Sequence, residues 1–210
     1  MGKLRKILIC PYFGELPEWF DKFSVPDGYD IILDRDLEGF KKRVKAKLGI
    51  DYPGLPGTGK VWDYRGSLGF LYQEEIKDYD YWGHCDWDVV FGDMNKWLPD
   101  KLLCNFDVFS GHDSYVNGCF SLYKNTQEVR ELFFKCDDWK ENMIHPNPNG
   151  WIEGSYSRIL ESSELKYLYT FWQGNPWCKI LNLKQEDKKL YQDEIEIAFF
   201  HFRHFKYWPL

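Results

Sequence analysis

Short apolar runs alternate along this chain with stretches in which apolar residues recur every three or four positions. Residues 6–10 (Lys-Ile-Leu-Ile-Cys) and 29–33 (Tyr-Asp-Ile-Ile-Leu) are short and largely apolar, and the first is stopped by Pro11, which predicts two buried strands. Residues 17–23 start with a proline, a residue suited to a first helical turn, and predict a short helix. Leu37, Phe40, Val44 and Leu48 fall on one helical face, and Gly49 ends it. Residues 49–59 contain Pro53, Gly54, Pro56, Gly57 and Gly59; this is a long loop, the kind of segment that often carries function. Residues 65–76 predict a second helix. Residues 81–84 and 89–91 predict extended runs on either side of a corner at 86–88, and 93–98 a short helix with an acidic start. Strands are expected at 108–110 and 119–123. A helix is expected at 125–135, capped by Asn125 with Glu128 at its third position. A Pro/Asn/Gly loop at 145–150, a helix at 152–160 and an aromatic extended end at 195–205 complete the pattern.

Strands alternating with helices predict an α/β fold: one domain with a mixed, mostly parallel sheet flanked by helices. Ligands of such sheets bind beyond the carboxyl ends of the strands. The loop after the first strand, residues 11–14, and the corner at 86–88 would both lie there.

Composition adds three points. A chain of 210 residues suits one domain with a sizeable core. Its aromatic content of 19% is high, and means either a heavily aromatic core or flat apolar walls for a sugar or nucleobase. A net charge of -6 without a long basic block argues against nucleic acid as a partner. The cluster of Lys41, Lys42, Arg43, Lys45 and Lys47 reads as a solvated helix face. Six cysteines, with no CxxC pair and no zinc spacing, read as buried free thiols of a reducing compartment. No signal-peptide pattern is visible, and no run approaches the roughly 20 apolar residues that span a bilayer, so a cytoplasmic location is expected.

The candidate chemistry centres on Asp86-Trp87-Asp88. Two carboxylates two residues apart on an extended segment point to one side and repel each other. Set between apolar runs they would be costly to bury unpaired. A hard divalent cation such as Mn²⁺ or Mg²⁺ resolves the conflict and can bridge to a diphosphate. The segment Gly57-Thr58-Gly59-Lys60 lacks the spacing of a phosphate-binding P-loop and reads as part of a flexible loop or lid.

The stretch of an apolar strand, Asp-x-Asp, Val-Val-Phe, Gly and Asp over residues 81–98 resembles the DxD segment of glycosyltransferases of the GT-A fold, those of glycosyltransferase family 8 in particular. The Ile-Cys-Pro-Tyr-Phe-Gly segment at 9–14 resembles glycosyltransferases of bacterial polysaccharide loci, and the whole resembles the N-terminal glycosyltransferase domain of a large chlorella-virus protein. The resemblance implies a Rossmann-like GT-A domain. Residues 1–110 would form its nucleotide-binding half, and residues 111–210 the acceptor-side half with a C-terminal metal and phosphate element.

It also implies roles. Asp88 would be the main metal ligand, with Asp86 sharing the metal or holding the ribose. Trp87 departs from the small residue usual there and would wall the donor pocket or pack inside. The C-terminal segment 201–208, His-Phe-Arg-His-Phe-Lys-Tyr-Trp, is similar to the family's H-F-x-G-x-x-K-P-W, one residue shorter. By that match His201 completes the metal site, with His204 as the fallback, and Lys206 holds the diphosphate. Arg65 matches an arginine near the donor, with Asp63 placed to orient it, and Tyr12 would stack on the uracil. Asp113 and Asn117 match groups that reach the donor sugar. Glu153 matches an acidic position beside donor and acceptor, where it is a general base or a sugar ligand; a helix N-terminal glutamate is the alternative. Asp113 could serve as the base instead. Trp151, Trp172 and Trp177 are candidates for an acceptor platform.

The expected activity is metal-dependent transfer from a nucleoside-diphosphate sugar, UDP-linked, to a hydroxyl of a glycan or glycoprotein; the resemblance implies retention, whereas inversion would need Asp113 or Glu153 to deprotonate the acceptor. Two other readings use the same features: a metal-dependent phosphohydrolase or nucleotidyltransferase built on the same aspartates, and a non-catalytic carbohydrate-binding module built on the tryptophans.

Overall fold

The structure, a computed structural model, describes residues 2–16, 25–170, 172–174 and 182–202. The helix expected at 17–23 lies outside the described residues.

Strand β1 (Lys6–Pro11) runs parallel to β2 (Tyr29–Asp34). Its side chains alternate as a two-residue period requires: Ile7 and Ile9 enter one core, Leu8 and Cys10 the other. Helix α1 (Leu37–Leu48) lies where the spacing of apolar residues puts it. Asp36 caps its start by accepting from the Gly39 N–H at 2.9 Å, and Gly49, at φ 69°, closes its end in the left-handed conformation that suits glycine.

Residues expected to form a helix over 65–76 form instead a 3₁₀ segment (Lys60–Ser67), a single turn α2 (Leu68–Leu71) and further turns. Gly66 and Gly69 press the backbone against Tyr156 and Trp82, so packing overrides a regular helix here. Strand β3 (Tyr81–Cys85) is buried throughout; β4 (Val89–Phe91), α3 (Met94–Trp97) and α4 (Asp100–Leu103) follow. Asp93 caps α3.

Strands β5 (Val108–Ser110) and β6 (Phe120–Lys124) come next. The helix expected at 125–135 is broken into α5 (Gln127–Arg130) and a 3₁₀ turn (Leu132–Lys135). Its cap is Thr126, because the Asn125 amide instead donates to the carbonyls of Ile76 and Tyr79 at 2.7 and 2.9 Å. After α6 (Trp139–Ile144), the helix expected at 152–160 is split at Gly154 into a 3₁₀ turn (Trp151–Glu153) and α7 (Ser155–Glu161). Strand β7 (Tyr167–Tyr169) precedes a small antiparallel set, β8 (Leu183–Glu186), β9 (Lys189–Gln192) and β10 (Ile195–Ile197). The described chain ends with β11 (Phe199–His201). Within the described residues the aromatic end is extended, as its composition suggests, but divides between two sheets; residues 203–205 lie outside them.

The central sheet has the order β2-β1-β3-β6-β5-β7. It is mixed and mainly parallel, with β6 antiparallel to both neighbours. On one face lie α1, α2, α5 to α7 and the 3₁₀ segments, with Phe40, Tyr64, Trp82, Tyr123 and Tyr156 among the buried rings. On the other, β4, α3, α4 and β11 bring Phe91, Met94, Leu98, Leu103 and Phe199 against Leu8, Phe109 and Phe120. The high aromatic content is thus largely core. Among the described residues no helix is long and apolar enough to cross a membrane.

Candidate active site

β3 ends at Cys85, and the Asp86 N–H bonds to the Cys119 carbonyl at the entry to β6 (3.0 Å). The chain then turns through Trp87 and Asp88 into β4. The partner of β4 comes from the far end of the chain. β11 pairs with it antiparallel, His201 opposite Val89 and Phe199 opposite Phe91, and the Phe202 N–H donates to the Asp88 carbonyl at 2.9 Å. Phe91 and Phe199 are both buried and their ring centroids are 6.2 Å apart. A slip of one residue would expose them, at roughly 1.5–3 kcal/mol per side chain, and would turn His201 to the other face.

This register sets His201 Nε2 3.3 Å from Asp88 Oδ1 and 3.5 Å from Asp86 Oδ2. One ligand atom from each of the three residues lies within 4.8 Å of the others. Oxygen and nitrogen ligands at about 2.1 Å around an octahedral cation stand about 3 Å apart, so two carboxylates and an imidazole at these separations fit a divalent metal with little movement. Burial lowers the imidazolium pKa, but Cys119, Asp88 and Asp86 outweigh it and raise it to about 11. Burial raises the Asp86 pKa, against the pull of Arg65 and His201.

Arg65 reaches the same carboxylate from the 3₁₀ segment and donates from Nη2 to Asp86 Oδ1, so the two oxygens of Asp86 face different partners. Asp63 does not orient Arg65, contrary to the sequence reading. It is fully buried, 2.7 Å from the equally buried Lys60, and accepts from the N–H groups of Asn149 and Gly150. Lys60 also donates to the Asn142 carbonyl at 2.6 Å, so it belongs to the core and not to a flexible loop. The pair staples the segment leading to Glu153 onto the segment bearing Arg65.

A cleft of about 650 Å³ opens over the three residues. Tyr12, Trp87, Arg65, Asp113, Asn117 and Glu153 all line it, as do Asp86, Asp88 and His201. The Tyr12 and Trp87 rings are 5.1 Å apart, tilted by 43°, and Arg35 lies over the Tyr12 ring. Glu153 and Arg65 converge on Gly118: a Cβ there would lie 2.9 Å from Glu153 Oε1 and 2.7 Å from Arg65 Nη1. Asp113 is exposed, bonded to Ser114 Oγ at 2.8 Å and 3.0 Å from His112. The Asn117 amide is engaged internally, accepting from the Cys119 N–H and donating to Gln173, both at 2.9 Å. His204, Lys206 and Trp177 lie outside the described residues.

Two of the three tryptophans expected at an acceptor platform belong to the interior. Trp151 is buried and donates its indole N–H to the Asp63 carbonyl; Trp172 packs on Phe109 and Trp97. Trp62, Gln173, His112 and Cys119 line the cleft without having been singled out by the sequence. Gln173 is placed by a lone bridge to Phe199, a pairing that leaves no local pattern. His84, two residues before Asp86, donates from Nε2 to the Asn117 carbonyl (2.9 Å) under the site; burial lowers its pKa to about 3, so it is neutral.

The model of a family of unknown function, DUF6625, matches residues 31–206. No curated protein matches the chain. Among solved structures, one titled as a glycosyltransferase involved in the glycosylation of the major capsid of PBCV-1 shares 13% identity over 94% of both chains, with a TM-score of 0.50. A second, of A197 from STIV, shares 16% identity over 93% of this chain and 94% of that one, with a TM-score of 0.39. At such identities the first likeness is one of fold.

Proposed function

The chain belongs to that family, DUF6625, and we propose that it is a glycosyltransferase of the GT-A type that uses a divalent metal, Mn²⁺ or Mg²⁺, and a UDP-linked sugar. One observation carries the reading: the β4–β11 pairing brings His201 from the far end of the chain to Asp86 and Asp88, beyond the carboxyl end of β3 and inside a 650 Å³ cleft. Two carboxylates and an imidazole suit a cation that also needs open positions for phosphate oxygens. The fold likeness to a viral glycosyltransferase supports the same reading at a coarse level.

Asp88 and His201 would hold the metal, with Asp86 sharing it through the oxygen not taken by Arg65. The metal, when bound, would supply Lewis-acid stabilisation of the departing diphosphate. Arg65 keeps a positive charge beside that position and, being bonded to Asp86, needs no reorganisation to do so. Lys206 would add a second charge. Tyr12 and Trp87 form the wall for the uracil. Asn117 lines the cleft, where its amide would face a donor hydroxyl, and it fixes the turn into β6 through the Cys119 N–H. Glu153 and Asp113, exposed carboxylates in the cleft, accept hydroxyl hydrogen bonds from donor or acceptor, and either can hold the proton of the attacking hydroxyl. Residues 1–110 would supply most of the nucleotide side and residues 111–210 the acceptor side and the returning histidine. A glycan or glycoprotein hydroxyl is the proposed acceptor; retention is what the resembled family implies, and inversion would call on Glu153 or Asp113 to deprotonate the acceptor.

Thermal stabilisation by UDP with and without Mn²⁺, in the native protein and in Asp88→Ala, tests this. The expected result is a shift that requires both ligands and disappears in the variant. No shift with any nucleotide would sink the proposal. Phosphate release from a nucleotide without sugar transfer would favour a phosphohydrolase, and glycan binding indifferent to Mn²⁺ and UDP a binding module.

A further inference from the structure

Six large apolar side chains are exposed among the described residues: Leu55, Trp62, Phe134, Ile144, Tyr167 and Ile195. Only Leu55 and Trp62, 67% and 41% exposed, line the cleft. A tryptophan left this open is unusual, because its large apolar surface is generally withdrawn from water.

Trp62 is nevertheless held. Gly59, at φ 70°, brings the loop backbone so close that a Cβ there would meet the indole at 2.8 Å. The Arg65 guanidinium lies 5.6 Å from the ring centroid. Arg65 is bonded to Asp86, so the indole is one side chain removed from the candidate metal ligands. The nucleotide side of the cleft already has its own aromatic pair, Tyr12 and Trp87, with Tyr12 close enough to Asp88 to sense its charge. Trp62 is a further aromatic surface of the same cleft, held by the Arg65 side of the site and not by the Tyr12–Trp87 pair.

We propose that Trp62, with Leu55 at the rim, is the acceptor platform, and that the acceptor end it receives is a hexopyranose. This rests on the glycosyltransferase reading above. A pyranose ring offers a flat face of C–H groups to an indole and a rim of hydroxyls to hydrogen-bond acceptors. The cleft supplies both. Glu153 Oε1 and Arg65 Nη1 each lie within 3 Å of the point where a Gly118 Cβ would stand, and Glu153 carries a carboxylate that accepts from hydroxyls. An acyl chain or an apolar peptide would leave Glu153 and Asp113 unanswered. Arg65 reaches from the Trp62 ring to Asp86, so a sugar stacked on Trp62 would lie one side chain away from the place where the donor diphosphate would sit.

The test uses saturation-transfer NMR on the full chain with diamagnetic Mg²⁺ and UDP present and methyl glucopyranoside, galactopyranoside and mannopyranoside as probes. The expected result is transfer to the ring C–H protons of at least one probe. It should fall at least fivefold in Trp62→Ala, be largely retained in Trp62→Phe, and fall also in Leu55→Asp. The UDP and Mn²⁺ thermal shift should persist in all three variants, which establishes that each is folded and binds nucleotide. Equal transfer in Trp62→Ala, or no transfer from the native protein to any probe while the thermal shift is intact, overturns the platform and leaves the transferase reading standing. Absence of the thermal shift in the native protein overturns the transferase reading and the platform with it.

Discussion

Gly118→Ala adds one methyl group at the point where Arg65 and Glu153 converge. Ordinary contacts of a Cβ lie at 3.4 Å or more, whereas this one would stand 2.7 Å from Arg65 Nη1 and 2.9 Å from Glu153 Oε1. Both atoms are ends of flexible side chains, so the fold can yield by moving them about 0.5–1 Å. The Gly118 backbone does not occupy the left-handed region, so alanine brings no backbone strain and gains about 0.4–1 kcal/mol by restricting the unfolded chain. Loss of the Arg65 bond to a largely buried Asp86 offsets this by about 1–3 kcal/mol. The loss outweighs the gain by about 1 kcal/mol, and the melting temperature should fall by only a few degrees. Activity should not be spared, because a displacement of about 1 Å in a positioned catalytic group costs on the order of 10²-fold in rate. The assay is Mn²⁺-dependent UDP release from a panel of UDP-sugars, read beside a thermal melt. A folded Gly118→Ala protein with native turnover would refute the assigned importance of the Arg65–Asp86 contact.

Two further outcomes follow from the buried ion pairs. Asp63→Asn should cost about 3–5 kcal/mol in a urea titration by leaving Lys60 buried without an anion, and the double variant Lys60→Met/Asp63→Asn should recover part of it; equal midpoints for native and Asp63→Asn would contradict the staple. Asp100→Asn should be destabilising at pH 7, because buried Lys6 donates to Asp100 at 2.6 Å. Burial would raise the Asp100 pKa, but the bonds from Lys6 and the Leu4 N–H outweigh it and hold it below the usual value. A depressed carboxylate pKa gives stability that is full above the unfolded value of about 3.9 and is lost as pH falls through the folded one, so native and Asp100→Asn stabilities should converge below about pH 4. A gap independent of pH between 7 and 3 would count against this pairing.

Sequence pattern predicts well where the physics is local. β1, β2, β3 and β4 follow from apolar runs and their stops, and α1 from its spacing together with Gly49. The same local rules mislead where tertiary packing competes. Gly66 and Gly69 lie against rings of other elements, and Asn125 uses its amide on distant carbonyls instead of capping a helix. Lys60 and Trp151 sit in loop-like sequence yet are buried: besides its neighbour Asp63, Lys60 meets the Asn142 carbonyl, and Trp151 meets the Asp63 carbonyl, each more than 80 residues away. The candidate site divides in the same way. Asp86 and Asp88 are conspicuous in the sequence, since paired acids between apolar strands demand an explanation. Nothing local to His201 says that it meets them; that depends on the pairing of β11 with β4 across more than 100 residues. Only the resemblance of the C-terminal segment pointed there.

The central claim is that Asp88 and His201, brought together by this pairing, bind one divalent cation with UDP. Electron spin-echo spectroscopy of Mn²⁺ bound in the presence of UDP tests it most directly. The account predicts nitrogen modulation from one imidazole, together with phosphorus couplings from the diphosphate. The nitrogen signal should vanish in His201→Ala, and Mn²⁺ binding itself should fall sharply in Asp88→Asn. Mn²⁺ that binds without a nitrogen ligand, or with a nitrogen signal that survives His201→Ala, would contradict it.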